Sequence, residues 1–429
     1  YTGFLSRLAL GSGIAVLVAC TSPKPLTLMP TPILYTSAKI DPFAHMGEVH
    51  RSPAVPVFYA TNRVPASDGA GVTYRNKLGP TLHLGRATIR VGEAGASWPE
   101  VVQASLAGAN QGGDTTPLVV TEVAPLAAVP IAAATAPGSL SPELQAYVDA
   151  INAELAGAVD KEIVVYVHGT KVDFTNSVSL TAEIDHFAGR DFVGVAFAWP
   201  SHQDILSYMV GVDVQRALDS SAALHRLLQL LADHTDAKHI NVLAYSAGGR
   251  VTSKALHEMR QAYPELTGTP LRKRFRLGAV AFAAADVPVD TFLERLPNVS
   301  ALAELVVITI SDNDTALKAG KNFMGGLERA GTRTAENEEE DFVTREKLSN
   351  VEIIDVSFGQ EVRGFDITGH HYWYRHPWTS SDMVFLMRTD LPAGQRGLSP
   401  TEQEGIWFLS SDYPTKIRQA AKSALDGQW

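Results

Sequence analysis

Apolar residues along this chain gather into short continuous runs, and helical periodicity fills the spaces between them. Glu162–Val167, Phe192–Ala198, Ile240–Ala244, Leu277–Ala284, Glu304–Ile310 and Asn350–Val356 are such runs. Their length and continuity predict strands buried on both faces. Val55–Ala60 predicts an earlier strand, and Leu84–Val91 alternates like a half-exposed one. Ser141 followed by Pro142 and Glu143 marks a helix start, with a capping hydroxyl and Pro in the first turn, and the helix should run to about Gly157. Asn176–Ala188, Val214–Ala232 (long and amphipathic) and Val251–Ala262 predict further helices. Strands and helices in alternation imply an α/β fold, with a mostly parallel central sheet covered by helices on both faces. Residues 92–138 are rich in Gly, Ala, Pro and Thr and read as an irregular insertion, with one strand near Pro117–Val123. The like-charged run Glu336–Asp341 reads as a solvated loop. The folded domain is expected over 55–395, with 396–429 as a C-terminal extension.

The beginning of the chain follows different rules. Residues 8–19 form an apolar run too short to span a bilayer, with Arg7 before it and Leu17-Val-Ala-Cys20 closing it. A positive flank, a short apolar core and small residues at the break describe a signal peptide over 1–20. Its last four residues resemble the lipobox of bacterial lipoproteins, in which the Cys becomes the lipidated N-terminus. Cys20 is therefore the expected membrane anchor, and residues 21–54, rich in Pro, Thr and Ser, the expected flexible tether. The expected location is the bacterial cell envelope. The alternatives are an ordinary cleaved signal with a soluble periplasmic or secreted protein, and a buried hydrophobic tail. Because the chain opens on Tyr1 rather than Met, its start reads as truncated or misassigned.

With 429 residues, 45% of them hydrophobic, the chain can build one large domain with extensions, or two domains. A formal net charge of −10 argues against a nucleic-acid partner. The single cysteine, Cys20, excludes an internal disulfide framework and a cysteine-based zinc cluster.

The chemistry centres on Tyr245-Ser-Ala-Gly-Gly249, where an apolar strand stops and a helical pattern begins. A sharp strand-to-helix turn with Ser246 at its apex leaves no room for flanking side chains. Ala244 and Gly248, two before and two after, satisfy this. The arrangement resembles the G-x-S-x-G nucleophile elbow with Ala for the first Gly. The plainer reading is a Ser-Gly turn closing a βα unit.

A serine nucleophile needs a base, a group that orients the base, and donors for the oxyanion. In a fold of this kind they follow in the order Ser, acid, His. Ala247, next to the Ser, is one expected N–H donor. Thr170 or Gly169, in the Val167-His-Gly-Thr170 turn, is the other. His168 precedes the Ser, is out of order for a base, and reads as a brace for that turn. Past Glu304–Ile310, Asp314 fits the acid best, with Asp312 and Asp286 as rivals. The base is expected in Gly369-His-His-Tyr372, where adjacent histidines point apart and only one can face Ser246. His370, His371 and His376 lack the helical spacing of a zinc site and have no neighbouring carboxylate motif. The chemistry requires neither metal nor organic cofactor. Tyr245 and Trp199 are candidates for the substrate pocket, although Trp199-Pro-Ser201 reads equally as a rigid packed turn. Tyr372, Trp373, Tyr374 and Trp378 read as packing for the last loop, with the lining of an apolar substrate cleft as the alternative.

These pieces fall in an order that resembles the bacterial α/β-hydrolase family of uncharacterised function DUF900. The matching segments are Val57–Arg63, Leu84–Arg86, Val167–Thr170, Trp199–Ser201, Tyr208, Asp213, the turn at Ser246, Ser311–Leu317, Arg329–Gly331 and Gly369–Tyr372. Tyr245 stands where the family usually has His, and Thr170 where it often has Tyr. The resemblance implies an α/β-hydrolase fold with Ser246, Asp314 and His370 as nucleophile, acid and base. It barely constrains the substrate. Cleavage of small-molecule or lipid-like carboxylic esters is the expected activity. An amidase or peptidase with the same residues, and a catalytically silent envelope binding protein, are the alternatives.

Overall fold

In a computed structural model of the chain, the described residues are 26–38, 40–68, 71–107, 116–132, 140–204, 207, 208, 210–323, 327–332, 342, 343, 346–357 and 370–425. The expected signal peptide with Cys20, Glu336–Asp341 and Gly369 lie outside them.

The centre is one sheet, in the order β10-β11-β9-β8-β7-β6-β4-β5-β1-β2-β3. Its strands are β1 (Ala54–Asp68), β2 (Gly71–Val91), β3 (Leu118–Pro130), β4 (Glu162–Val167), β5 (Val193–Phe197), β6 (His239–Tyr245), β7 (Leu277–Ala283), β8 (Ala303–Ile310), β9 (Val351–Asp355), β10 (Ser399–Pro400) and β11 (Ile406–Phe408). Pairing is parallel from β1 through β5, β4, β6, β7, β8 and β9 to β11, and antiparallel at both ends of the sheet. β4 illustrates why continuous apolar runs become central strands. Ile163, Val165 and Val167 face one core, and Val164 and Tyr166 face the other. Helices Pro142–Gly157, Ser221–His234, Gly248–Gln261 and Val289–Leu302 cover the first face. Helices Phe174–Phe187, Pro377–Thr389 and Tyr413–Leu425 cover the second.

From β4 the chain steps outward to β5, then returns across β4 to place β6 on its other side. The segments leaving β4 and β6 therefore diverge. They open a crevice at the carboxyl ends of these two strands, where α/β sheets characteristically bind ligands. Ser246 follows β6 directly and His168 follows β4 directly.

Several boundaries differ from expectation. From Leu26 onward the expected tether is packed. Leu28, Leu34, Tyr35 and Phe43 are buried, and Leu118 N donates to Leu26 O at 2.8 Å. A Pro-rich composition hid apolar residues that have no period because they join the second core without forming one long element. The expected irregular stretch 92–138 contains the helix Trp98–Leu106, with a Ser97–Glu100 capping box, and the strand β3. β3 keeps Pro125 and Pro130 because it is the edge strand and needs no donors on its outer side. The expected single helix Val214–Ala232 is divided into Val212–Asp219 and Ser221–His234. Ser220, at the break, donates its hydroxyl to Arg216 O at 2.7 Å and accepts from Asn62 Nδ2 at 3.0 Å. Such back-bonding from a serine bends helices.

Residues 396–429 are not an appendage in their described part. β11 pairs with β9, and Tyr413, Ile417, Ala421 and Leu425 bury one helical stripe in the second core. Arg396 is fully buried and meets Asp382 at 2.7 Å.

Glu183 ties the N-terminal segment to the core by accepting from Met29 N. Burial pushes its carboxyl up to about 8. The folded state thus holds a proton that the unfolded chain releases near pH 4.5. This contribution to stability is fully present below pH 4.5 and is lost as pH rises through about 8. Glu183→Gln should therefore flatten the decline of Tm between pH 5 and 8, read by thermal melts across that range. A slope identical to wild type would contradict it.

Candidate active site

Ser246 sits at the junction of β6 and the helix Gly248–Gln261 with φ of 52°, in the left-handed region. A serine there is strained, by a cost of order 1–3 kcal/mol. Three backbone bonds hold it. Ser246 N donates to Ala283 O at 2.9 Å, and Ser246 O accepts from Gly249 N at 2.9 Å and Asp286 N at 3.1 Å. Gly248 permits this turn because a Cβ there would lie 2.3 Å from Val167 O. The strain lifts the Ser246 side chain out of the strand, toward the crevice beside β4.

Three side chains from distant parts of the chain meet at this point. His370 Nε2 lies 2.8 Å from Ser246 Oγ, and His370 Nδ1 lies 2.7 Å from Asp314 Oδ2. Asp314 is fully buried, and its other oxygen accepts from Leu317 N at 2.9 Å, capping the helix Thr315–Phe323. One carboxylate thus orients the imidazole and is itself held by the backbone. A carboxylate on Nδ1 keeps the proton there and leaves Nε2 as an acceptor for the serine hydroxyl.

The rivals lie elsewhere. Asp312 is exposed, and its backbone N donates to Ser357 Oγ at 2.8 Å. Asp286 is buried against two arginines, Arg329 Nε at 2.8 Å and Arg250 Nη2 at 3.4 Å. Burial raises its carboxyl to about 6 against the opposing pull of Arg329. Asp286 braces the turn through its N–H to Ser246 O, and its carboxylate pairs with the arginines, while Asp314 takes the hydrogen bond to the imidazole. His371 caps the helix Tyr372–Arg375, with its ring 5.6 Å from that of Tyr374.

The turn after β4 lies directly against the serine. A Cβ at Gly169 would stand 3.0 Å from Ser246 Cβ. Only a glycine allows this approach, which brings the backbone of Gly169 and Thr170 beside the nucleophile. Ala247 is fully buried and immediately precedes the helix, whose first N–H groups have no intrahelical acceptor. His168 braces the turn from within. Its Nδ1 donates to Gly169 O at 2.7 Å, and its ring stacks on Trp199 at 5.2 Å. Burial, and then Arg63, push its imidazole down to about 3, so the ring is neutral.

Trp199 does not line an open pocket. It is fully buried, and its indole N–H donates to His168 O at 2.7 Å. Its bulk is spent on supporting the turn. Tyr245 is also an inner wall. It is buried, with its ring 5.3 Å from that of His370, and its hydroxyl donates to His370 O at 3.4 Å. Tyr372 and Trp373 are buried as packing for the last loop. The Tyr372 hydroxyl bonds Thr309 Oγ1 at 2.6 Å and accepts from Ala284 N at 2.9 Å, fixing the chain just after His370 to β7 and β8.

Three buried arginines support the site without a role assigned to them from the sequence. Arg63, fully buried, donates to Trp199 O at 2.6 Å and Val172 O at 2.8 Å, and so joins the loops after β4 and β5. Arg250 and Arg329 close on Asp286 as described. Arg63 and Arg329 belong to the short matching segments, but only contact explains why a cation is needed at either place. A cavity of about 380 Å³, lined in part by His45, His50, Asp185 and Arg190, lies at the opposite edge of the sheet and plays no part in this geometry.

A family model described as an alpha/beta hydrolase of unknown function (DUF900) matches residues 144–384. The chain belongs to this family. All three side chains that meet at Ser246 fall inside the matched span of this α/β-hydrolase. No curated protein matches it. Among solved structures, it is similar to the crystal structure of a lipase-esterase related protein from Clostridium acetobutylicum ATCC 824. The identity is 10%, with 63% of this chain and 94% of that chain covered, at a TM-score of 0.19. A superposition of that quality says nothing about the chemistry of this α/β-hydrolase.

Proposed function

We propose that this α/β-hydrolase cleaves carboxylic esters through a covalent acyl-enzyme. Ser246 Oγ attacks the carbonyl carbon as His370 Nε2 takes its proton. The carbonyl electron pair moves onto oxygen, where the N–H groups of Ala247 and of Thr170 or Gly169 receive it. Donors fixed in advance at such an oxyanion are usually the largest single catalytic contribution. Collapse breaks the bond to the alcohol oxygen, which leaves with the proton from His370. Water then repeats the sequence on the acyl-serine and releases the carboxylic acid. Asp314 holds the imidazole tautomer and stabilises the imidazolium.

The observation that carries this reading is the pair of contacts at His370, 2.8 Å to Ser246 Oγ and 2.7 Å to Asp314 Oδ2. The test is a fluorophosphonate probe, followed by p-nitrophenyl esters of increasing chain length beside their amide analogues. Labelling at Ser246 and turnover of esters ahead of amides is expected. A folded protein that neither takes the label nor turns over any ester would be a silent binding protein. Faster amide cleavage would make it an amidase.

We also propose that Cys20 carries a lipid anchor, on the strength of Leu17-Val-Ala-Cys20 closing a short apolar run. Among the described residues, no helix is long and apolar enough to cross a membrane. Leu26 is already held to Leu118, so the chain between Cys20 and Leu26 spans at most about 20 Å when extended. An anchor at Cys20 would hold the folded body close against the bilayer. Cys20→Ser should release the protein from the membrane fraction, and the wild type should incorporate labelled fatty acid. A wild type that takes up no label would refute the anchor.

A further inference from the structure

At the edge of the sheet opposite Ser246, Glu162, His239 and Asp390 bring their side chains to one point. Glu162 opens β4, His239 opens β6, and Asp390 ends the helix Pro377–Thr389 with φ of 51°. One donor atom from each lies within 4.8 Å of the other two. His239 Nδ1 is 3.2 Å from Glu162 Oε1 and 2.9 Å from Asp390 Oδ2. Donors around a tetrahedral zinc stand roughly 3.3 Å apart, given metal–ligand bonds of about 2.0–2.2 Å. Both separations from His239 are therefore close to coordination spacing.

The surroundings favour a cation. The Asp390 side chain is only 10% exposed; its Oδ2 faces His239, while Oδ1 is buried with no hydrogen-bond partner among the described residues. An orphaned carboxylate oxygen beside a second buried carboxylate is costly unless positive charge compensates both. The first group is braced from outside. Asn241 Nδ2 donates to Glu162 Oε2 at 2.8 Å, which leaves Oε1 turned to His239. The other ring nitrogen of His239 faces Glu304 Oε2 at 3.7 Å. Gly278 keeps the space open, since a Cβ there would lie 2.8 Å from Asp390 Oδ2.

We propose that Glu162, His239 and Asp390 form a binding site for a divalent transition cation, Zn²⁺ ahead of Mn²⁺, that clips the helix Pro377–Thr389 to the starts of β4 and β6. One imidazole and two carboxylates suit such ions, while a set containing nitrogen disfavours Ca²⁺ and Mg²⁺. Zn²⁺ precedes Mn²⁺ in the general affinity order. The site has no part in bond cleavage. His239 and Ser246 are seven residues apart on an extended strand, about 20 Å. Its effect is on the anchorage of the helix that follows the His370 segment.

The experiment uses the full chain stripped with EDTA and then dialysed, titrated with Zn²⁺ by calorimetry and by thermal melting. Co²⁺ serves as a spectroscopic probe through its visible bands. One equivalent of Zn²⁺ should bind, and Tm should rise with it. Asp390→Asn removes the charge and keeps a residue tolerant of the left-handed conformation, so the fold survives. This variant should bind Zn²⁺ more weakly by about tenfold or more and lose the thermal shift. His239→Gln should do the same and abolish the Co²⁺ bands. No stoichiometric binding by the wild type would overturn the site. So would binding and a thermal shift that persist unchanged in Asp390→Asn, which would locate the ion elsewhere.

Discussion

Ser246→Ala should leave a folded protein that turns over ester at a rate lower by on the order of 10³-fold or more. Alanine keeps the Cβ that stands against Gly169 and meets the same left-handed backbone as serine, so the turn itself is not disturbed. What disappears is the oxygen that His370 Nε2 reaches at 2.8 Å. His370→Ala should match this loss, and the double variant should be little worse than either single one, because nucleophile and base act as a unit. His371→Ala should retain most activity, since its ring packs on Tyr245 and Tyr374 rather than on the serine. Steady-state kinetics with a simple p-nitrophenyl ester, with melting curves as the folding control, read all four. Near wild-type turnover by Ser246→Ala would remove the serine from the mechanism. A dead His371→Ala beside an active His370→Ala would exchange the two histidines.

Asp314→Asn should cost on the order of 10⁴-fold in kcat while Asp286→Asn keeps the chemistry and loses stability. An asparagine at 314 can still cap the helix Thr315–Phe323 with its oxygen, as Asp314 Oδ1 does toward Leu317 N. Its amide would then donate to His370 Nδ1, which forces the ring proton onto Nε2 and points it at the serine. The base becomes a donor in the wrong place. At 286 the carboxylate serves Arg329 and Arg250 instead. Removing one partner of a buried ion pair is destabilising by about 3–5 kcal/mol when the other charge is left unpaired. Kinetics and melting temperatures should therefore separate the two variants. An active Asp314→Asn beside a dead, well-folded Asp286→Asn would move the acid one strand earlier.

The central strands were legible because burial on both faces demands uninterrupted apolar residues. Ile163 to Val167 and Leu277 to Ala283 leave little else to be made of them. The sharp turn was legible because steric exclusion at Ser246 restricts Ala244 and Gly248 to small side chains. The outer elements were not. β3 carries two prolines and several alanines, and an edge strand tolerates both, so its composition looked like a loop. The packed N-terminal segment looked like a tether because apolar residues buried outside a long regular element need no period. At the helix break, the Ser220 hydroxyl also accepts from Asn62, 158 residues away, a contact that no local pattern announces.

By itself the amino-acid sequence determined the alternation of strands and helices, the serine at a strand-to-helix turn, and a short roster of acids and histidines downstream of it. These are consequences of local sterics and of burial, which act on neighbours in the chain. Which acid and which histidine meet the serine was decided only by the tertiary structure. Asp314, Asp312 and Asp286 are alike in chemistry and all follow strands. They differ in what surrounds them: a helix start and an imidazole for Asp314, solvent for Asp312, two arginines for Asp286. Trp199 likewise carries the same ring whether it walls a pocket or supports a turn, and the hydrogen bond to His168 O settles that it supports the turn. The convergence of Glu162, His239 and Asp390, from two strand starts and one helix end, has no local signature at all. Contacts between residues far apart in the chain depend on how the layers pack, and no periodicity along the chain records that.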